Sequence, residues 1–181
     1  ASDGSIRLGF WDDNEVYRAG FGIFEKGAGA ITFYDKDGNA VTEYGIAPDE
    51  VVRIGFWDRD DVYKAGLGMY KDGNGALTFY NDEGNAVTEY GVAPDGAVLV
   101  SFWDDKGVNR VGIGVYEEGD GALTFYDVSG SAVTEYGIAP DDSVRLGFWD
   151  SKGNYRAHFG FYNEGEILMY DGSGRTIWSA P

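Results

Sequence analysis

Residues 6–46 read IRLGFWDDNEVYRAGFGIFEKGAGAITFYDKDGNAVTEYGI, and the fold class follows from them. Two segments within this stretch match at an offset of 23 residues. Phe10 corresponds to Phe33, Trp11 to Tyr34, Asp12 to Asp35 and Phe21 to Tyr44. Each half holds two short runs of β-branched and aromatic residues joined by a turn, the pattern of a β-hairpin. Most turns start at Asp or Asn and carry Gly three residues later: Asp35/Gly38, Asn81/Gly84, Asp104/Gly107, Asp127/Gly130, Asp150/Gly153 and Asp171/Gly174. That spacing predicts a type I turn followed by a residue in the left-handed region, where glycine has no Cβ to clash. The turns Asp12–Glu15 and Asp58–Asp61 have an acidic residue in place of that glycine, so a local difference is expected there.

The double hairpin is then copied along the chain. Phe-Trp-Asp recurs at Phe10–Asp12, Phe56–Asp58, Phe102–Asp104 and Phe148–Asp150, each 46 residues after the last, and Val-Thr-Glu-Tyr-Gly begins at Val41, Val87 and Val133. Four repeats follow, 5–50, 51–96, 97–142 and 143–181, in one repeat domain over residues 1–181. No segment sustains a 3.6-residue period, and 29 glycines would weaken any helix. The chain is therefore expected to be all-β, with sixteen strands in sequence order. The fourth copy departs from the others: its second half is shorter, and Trp178 stands in place of the repeat's threonine.

How the strands close depends on their faces. With Asp12 opposite Val16 and strict alternation beyond, Ile6, Leu8 and Phe10 share a face with Arg18, Gly20 and Gly22. Trp11, Tyr17, Ala19, Phe21 and Ile23 take the other. In the second hairpin Ile31, Phe33 and Val41 oppose Tyr34, Thr42 and Tyr44. Both faces are then apolar, so each sheet is expected to be covered on both sides. Four such sheets around an axis make a closed, four-bladed, β-propeller-like ring. The alternative is an open hairpin-repeat array or solenoid, which the 23-residue half-repeat favours.

The chain carries 31 acidic and 14 basic residues, a formal net charge of -17. That field disfavours nucleic acid and anionic lipid, and suits neutral ligands, cations or basic partners. There is no cysteine, hence no disulfide and no thiol chemistry. No apolar run is long enough for a transmembrane helix, so no membrane insertion is expected. A secreted or cell-surface location is the expectation.

Chemistry has four candidate sources. Trp11, Trp57, Trp103 and Trp149, each followed by Asp12, Asp58, Asp104 or Asp150, could stack a sugar ring and accept its hydroxyl hydrogen bonds. Packing in a core, with the aspartate opening the turn, explains the same residues. A basic residue also recurs at one position: Arg18, Lys64, Arg110 and Arg156. These four would either pair with carboxylates such as Glu43, Glu89 and Glu135 or line equivalent pockets, with Arg156 the freest. Acidic loops (Asp12/Asp13, Asp58/Asp60/Asp61, Asp104/Asp105) could take Ca2+, although they lack EF-hand spacing and hairpin turns account for them. His158, the one histidine, replaces Gly20, Gly66 and Gly112 and suggests a local packing change. No other cofactor and no metal site is expected.

The last segment, 162–178, resembles a strand of the bulb-type mannose-binding lectins, whose sugar motif places Gln, Asp, Asn, Val and Tyr at alternate positions. Tyr162, Glu164, Glu166, Leu168 and Tyr170 stand there, so only the tyrosine is shared. The likeness covers about a tenth of the chain and carries no binding site with it.

The first functional expectation is thus a non-enzymatic, multivalent, lectin-like protein with one equivalent carbohydrate or neutral-ligand site per repeat. The alternatives are a structural or self-assembling surface repeat, or an engineered scaffold, without small ligand. A third is a carboxylate-using enzyme, which would need one asymmetric cleft.

Overall fold

The computed structural model describes residues 6–23, 28–46, 51–69, 74–93, 95–116, 120–138, 143–161 and 166–180. Every regular element among them is a β-strand. The chain falls into two compact units, Ala1–Pro94 and Asp95–Pro181. The first holds β1 (Ile6–Trp11), β2 (Tyr17–Ile23), β3 (Gly29–Tyr34), β4 (Ala40–Ile46), β5 (Val52–Trp57), β6 (Tyr63–Met69), β7 (Gly75–Tyr80) and β8 (Ala86–Val92). The second holds β9 (Val98–Trp103), β10 (Asn109–Val115), β11 (Gly121–Tyr126), β12 (Ala132–Ile138), β13 (Val144–Trp149), β14 (Tyr155–Phe161), β15 (Glu166–Tyr170) and β16 (Thr176–Ala180).

Within each unit every strand pairs antiparallel with the next in sequence, giving an open meander of hairpins. The expected ring of separate blades is not what forms. In the first unit β4 pairs with β5 over Thr42↔Phe56 to Ile46↔Val52, so one repeat runs into the next within a single sheet. In the second, β12 continues into β13 in the same way, over Thr134↔Phe148 to Ile138↔Val144. The open hairpin array is the architecture found.

Local hydrogen bonding explains the hairpins. At each turn the first residue accepts two backbone N–H groups with one side-chain oxygen. Asp12 Oδ1 takes those of Asn14 (2.9 Å) and Val16 (3.0 Å), and Asn81 Oδ1 takes those of Glu83 and Asn85. The same bonds recur at Asp35, Asp58, Asp104, Asp127, Asp150 and Asp171. Such Asx turns are what Asp and Asn supply and alanine cannot. Gly38, Gly84, Gly107, Gly130, Gly153 and Gly174 all have φ between 73° and 88°.

Glu15 and Asp61 adopt the same left-handed conformation, at φ 60° and 61°, so those two turns are not built differently. A non-glycine residue there costs about 1–2 kcal/mol, partly offset by the chain entropy that glycine loses on folding. Glu15→Gly and Asp61→Gly are each expected to stabilise the protein by about 0.5–1 kcal/mol in urea unfolding.

A bulge after each of these eight turns sets the faces. Phe10 pairs with Ala19 while Trp11 pairs with Tyr17, which leaves Arg18 as an extra residue. The same step leaves Val41, Lys64, Val87, Arg110, Val133, Arg156 and Ile177 as extra residues in the other hairpins. One inserted residue moves all that follow it to the opposite side. Ala19, Phe21 and Ile23 therefore join Ile6, Leu8 and Phe10, whereas Gly20 and Gly22 join Gly9, Trp11 and Tyr17. The two mixed faces expected from strict alternation become one uncharged apolar face and one face of glycine, threonine, aromatic and charged residues.

Burial among the described residues is confined to small groups and His158 on the mixed face, and to loops. Ala30, Ala76, Thr32, Thr78 and Thr124 are buried, and no large side chain among the described residues is completely enclosed. Each unit is a single layer, without the two-layer core of an ordinary domain.

Candidate functional site

The mixed face carries the groups capable of recognition. Bulge geometry brings Trp11 opposite Tyr17, and Tyr17 meets Tyr34 on the next strand, with ring centroids 5.0 Å and 4.8 Å apart. Trp57–Tyr63–Tyr80 repeats this at 5.0 Å and 5.0 Å, and Trp149–Tyr155–Tyr170 at 4.9 Å and 5.4 Å. The rings are tilted against one another, which suits their quadrupoles and adds about 0.5–1.5 kcal/mol per pair beyond area burial.

Glycine makes room for these ladders. A Cβ on Gly55 would lie 2.5 Å from the Trp57 ring and 2.8 Å from that of Tyr63, and Gly9 and Gly147 stand in the same relation to Trp11/Tyr17 and Trp149/Tyr155. Each indole thus lies across bare backbone. Trp11 remains 62% exposed, while Trp57, Trp103 and Trp149 are half-buried. The third repeat differs: Asn109 takes the tyrosine's place opposite Trp103, and Ser101 takes the glycine's.

The turn aspartates and matched cations are brought together with each other. Arg18 Nε donates to Asp12 Oδ2 at 2.7 Å, and its Nη2 lies 2.7 Å from the same oxygen. Lys64 lies 3.1 Å from Asp58 and also bonds Asp82 of the neighbouring hairpin. Arg156 lies 4.0 Å from Asp150, so the fourth cation also has a carboxylate beside it. The Val108 N–H at Asp104 and the Ser129 hydroxyl at Asp127 hold those carboxyls below their ordinary value, with Arg110 adding a smaller effect. The cations therefore face the turn of their own hairpin, and Glu43, Glu89 and Glu135 bond instead to Thr32 (3.4 Å), Thr78 (2.9 Å) and Thr124 (3.4 Å).

Electrostatics follows these contacts. The Val62 N–H, joined by Lys64, holds the Asp58 carboxyl below its ordinary value. Hydrogen bonds that Lys64 donates to Asp82 and Asp58 hold its ammonium above its own. Burial raises the Tyr34 hydroxyl, with Tyr17 adding to the effect.

Two hollows form on this face. One of about 310 Å³ in the second unit is lined by Glu135, Arg145, Gly147, Trp149, Tyr155, His158 and Tyr170. A smaller one, about 210 Å³, includes Arg53, Tyr63, Gly66 and Tyr80 in the first unit. The two are related by the repeat through Arg53, Tyr63 and Tyr80, which stand 92 or 90 residues before Arg145, Tyr155 and Tyr170. Glu135 and Trp149 line the second hollow, whereas their equivalents Glu43 and Trp57 do not line the first. His158, buried to 5% exposure, stands where the second repeat has Gly66, over which the Tyr63 ring lies. Its ring lies beside Tyr155 and Tyr170, and the Tyr170 hydroxyl is 3.4 Å from its Nδ1. Arg7, Arg53 and Arg145 were not among the sequence candidates. Their signal is a basic residue four places before the tryptophan of each Phe-Trp-Asp, absent only at Leu99.

Among the described residues no three histidine or carboxylate side chains come together in a way that could hold a metal ion. No described helix is long and apolar enough to cross a membrane.

The chain is thus a tandem hairpin-repeat protein of the all-β class. No protein-family model matches it, and no curated protein does. Solved structures offer distant likenesses. The TCP domain of SAS-4 from Drosophila melanogaster, in complex with a proline-rich motif of Ana2, is 14% identical over 81% of this chain and 87% of that one, with a TM-score of 0.40. The TCP10 domain of Danio rerio CPAP, in complex with a STIL peptide, is 15% identical over 97% and 99%, with a TM-score of 0.21. A TcdB2–TccC3–Cdc42 structure is 9% identical over 94% of this chain and 11% of that one, with a TM-score of 0.23. Likenesses at this level carry no partner or activity over to this chain.

Proposed function

We propose that the chain is a non-enzymatic, multivalent binding protein whose mixed face takes carbohydrate. The observation that carries this is the recurrence of a guanidinium and a Trp–Tyr–Tyr ladder in the second and fourth repeats, each with a hollow. Arg53, Tyr63 and Tyr80 line the hollow in the first unit, and Arg145, Trp149, Tyr155 and Tyr170, together with Glu135 of the repeat before, line that in the second. Flat rings pack against the C–H faces of a sugar, and Arg and Glu supply donors and acceptors for its hydroxyls. The exposed indole of Trp11 offers a third, simpler platform. The turn aspartates and Arg18, Lys64, Arg110 and Arg156 act behind these sites, holding the strand ends in place. Weak single sites on one chain gain avidity together when a ligand can span them.

A glycan array followed by tryptophan-fluorescence titration tests this. Binding is expected to fall by about tenfold or more in Trp57→Ala and in Trp149→Ala, as truncation of a stacking aromatic does. Arg53→Ala and Arg145→Ala should weaken it while leaving the strand content unchanged. No response to any glycan would leave the repeat as a scaffold without small ligand. A hydrolysed glycan would point to the carboxylate enzyme.

A further inference from the structure

The opposite face of the first unit is composed entirely of uncharged residues. Its three rows across the sheet are Ile6–Ile23–Gly29–Ile46–Val52–Met69–Gly75–Val92, Leu8–Phe21–Ile31–Tyr44–Ile54–Leu67–Leu77–Tyr90 and Phe10–Ala19–Phe33–Thr42–Phe56–Ala65–Phe79–Thr88. Most of the large side chains stand well exposed, among them Phe10 at 53%, Phe33 at 50%, Phe56 at 42% and Phe79 at 46%. An apolar surface of this extent on a soluble chain marks an interaction site.

We infer that this face packs against the same face of a second copy, making a two-layer homodimer. Three observations identify the occupant. The first is area: eight strands about 4.8 Å apart and about 20 Å long present roughly 750 Å², close to what each partner contributes to a stable interface. The second is charge. Every charged strand residue of this unit lies on the other face or at a bulge, so the contact would have an apolar centre and a polar rim.

The third is shape. The row nearest the turns alternates a phenylalanine with Ala or Thr, strand by strand. A two-fold axis along the strands, between β4 and β5, lays β1 over the partner's β8, β2 over its β7, and so on inward. With eight strands, each odd strand then meets an even one. Phe10, Phe33, Phe56 and Phe79 fall over a Thr or Ala of the second copy, and the reverse holds by symmetry. Such self-complementarity is what an isologous interface requires, and sheets packed face to face keep their strands nearly aligned. A partner unlike this chain would have no reason to match the alternation.

The test uses the full chain. Sedimentation equilibrium at micromolar concentration should show a dimer, and added salt should strengthen it by screening the acidic rims. Ala65→Lys, which places a charge between Phe56 and Phe79 on this apolar face, should give a monomer with an unchanged far-UV circular dichroism spectrum. The chain has no native cysteine. In Phe33→Cys/Ala65→Cys the two thiols lie three strands apart in one chain, about 14 Å, yet face each other across the two-fold, where packed sheets stand about 10 Å apart and a direct disulfide does not reach. A bis-maleimide about 10 Å long should therefore yield covalent dimers from this double variant and few from either single one. A wild-type monomer would overturn the inference. So would a dimer indifferent to Ala65→Lys, or one in which the double variant does not cross-link.

Discussion

Replacing Gly45 with valine is expected to cost about 3 kcal/mol in chemical denaturation followed by far-UV circular dichroism, near the upper end for overpacking. A side chain at this position has nowhere to go. Its Cβ would strike the carbonyl oxygen of Gly29 first, and would lie 2.8 Å from both the Cα and the Cβ of Ala30. Those atoms belong to the neighbouring strand, so relief requires β3 and β4 to separate and their ladder to weaken. Ala30 is itself buried on the mixed face, which leaves no slack behind it. Gly91 and Gly137 stand in the same place in the later repeats, with Ala76 Cβ at 3.0 Å and Ala122 Cα at 3.0 Å, and the same penalty applies there. Gly29→Val is the control. The nearest atom to its Cβ is the Gly22 carbonyl oxygen at 3.8 Å, so a valine fits and favours the strand. A loss at Gly29 as large as that at Gly45 would show that close strand approach is not what selects glycine.

The contrast between these two glycines also shows how far the sequence could be read. Periodicity of 46 and 23 residues, the Asp-to-Gly turn spacing and the opposition of Asp12 to Val16 all depend on local chemistry, and each appears in the structure as expected. The faces depend on one residue per hairpin that local chemistry does not mark. Arg18 and Val41 occupy equivalent bulges, yet one is basic and the other aliphatic, so no shared residue type announces the extra position. Without the bulge, Phe21 lands beside Trp11 and both faces look apolar. That pattern led to the expectation of a propeller. With it, Phe21 lies beside Leu8, and a single layer with one uncharged face follows.

The candidate site was legible to the same degree. The tryptophans stand out because they repeat, but Arg18 and its equivalents repeat just as strictly, and Arg18, Lys64 and Arg156 lie beside the turn aspartates. What separates them is which side of the bulge each residue falls on. Trp57 and Arg53 lie on the near side, in regular alternation, and reach the mixed face together. Lys64 is the bulge residue itself and bonds Asp58 and Asp82. The regular spacing from Arg53 to Trp57 was present in the sequence. It had weight only once the faces were correctly assigned.

Acid should unfold this protein through its turns. Seven of the eight turns open with an aspartate held below the ordinary carboxyl value of 3.8. In Asp12, Asp35, Asp58 and Asp104 the largest cause is a backbone N–H four residues on. In Asp127 it is the Ser129 hydroxyl, in Asp150 the Asn154 amide, and in Asp171 the Ser173 hydroxyl, which brings the carboxyl down to about 2. A folded-state value below the unfolded one means stability that is fully present above about pH 4 and lost as pH falls toward 2. Protonation leaves a weaker acceptor for two backbone N–H groups at each of seven turns at once. Acidification also relieves the self-repulsion of a chain with net charge -17, an opposing effect that salt screens and the turn bonds largely escape. At high salt the urea midpoint should therefore be flat from pH 7 to about 4.5 and fall steeply below it. The β7–β8 hairpin provides an internal control, because Asn81 makes the same bonds without a titrating group. Its turn amides should keep their hydrogen-exchange protection to lower pH than those following Asp35, and Asn81→Asp should abolish the difference. Equal loss at Asn81 and Asp35 would place the acid sensitivity elsewhere than in the turns.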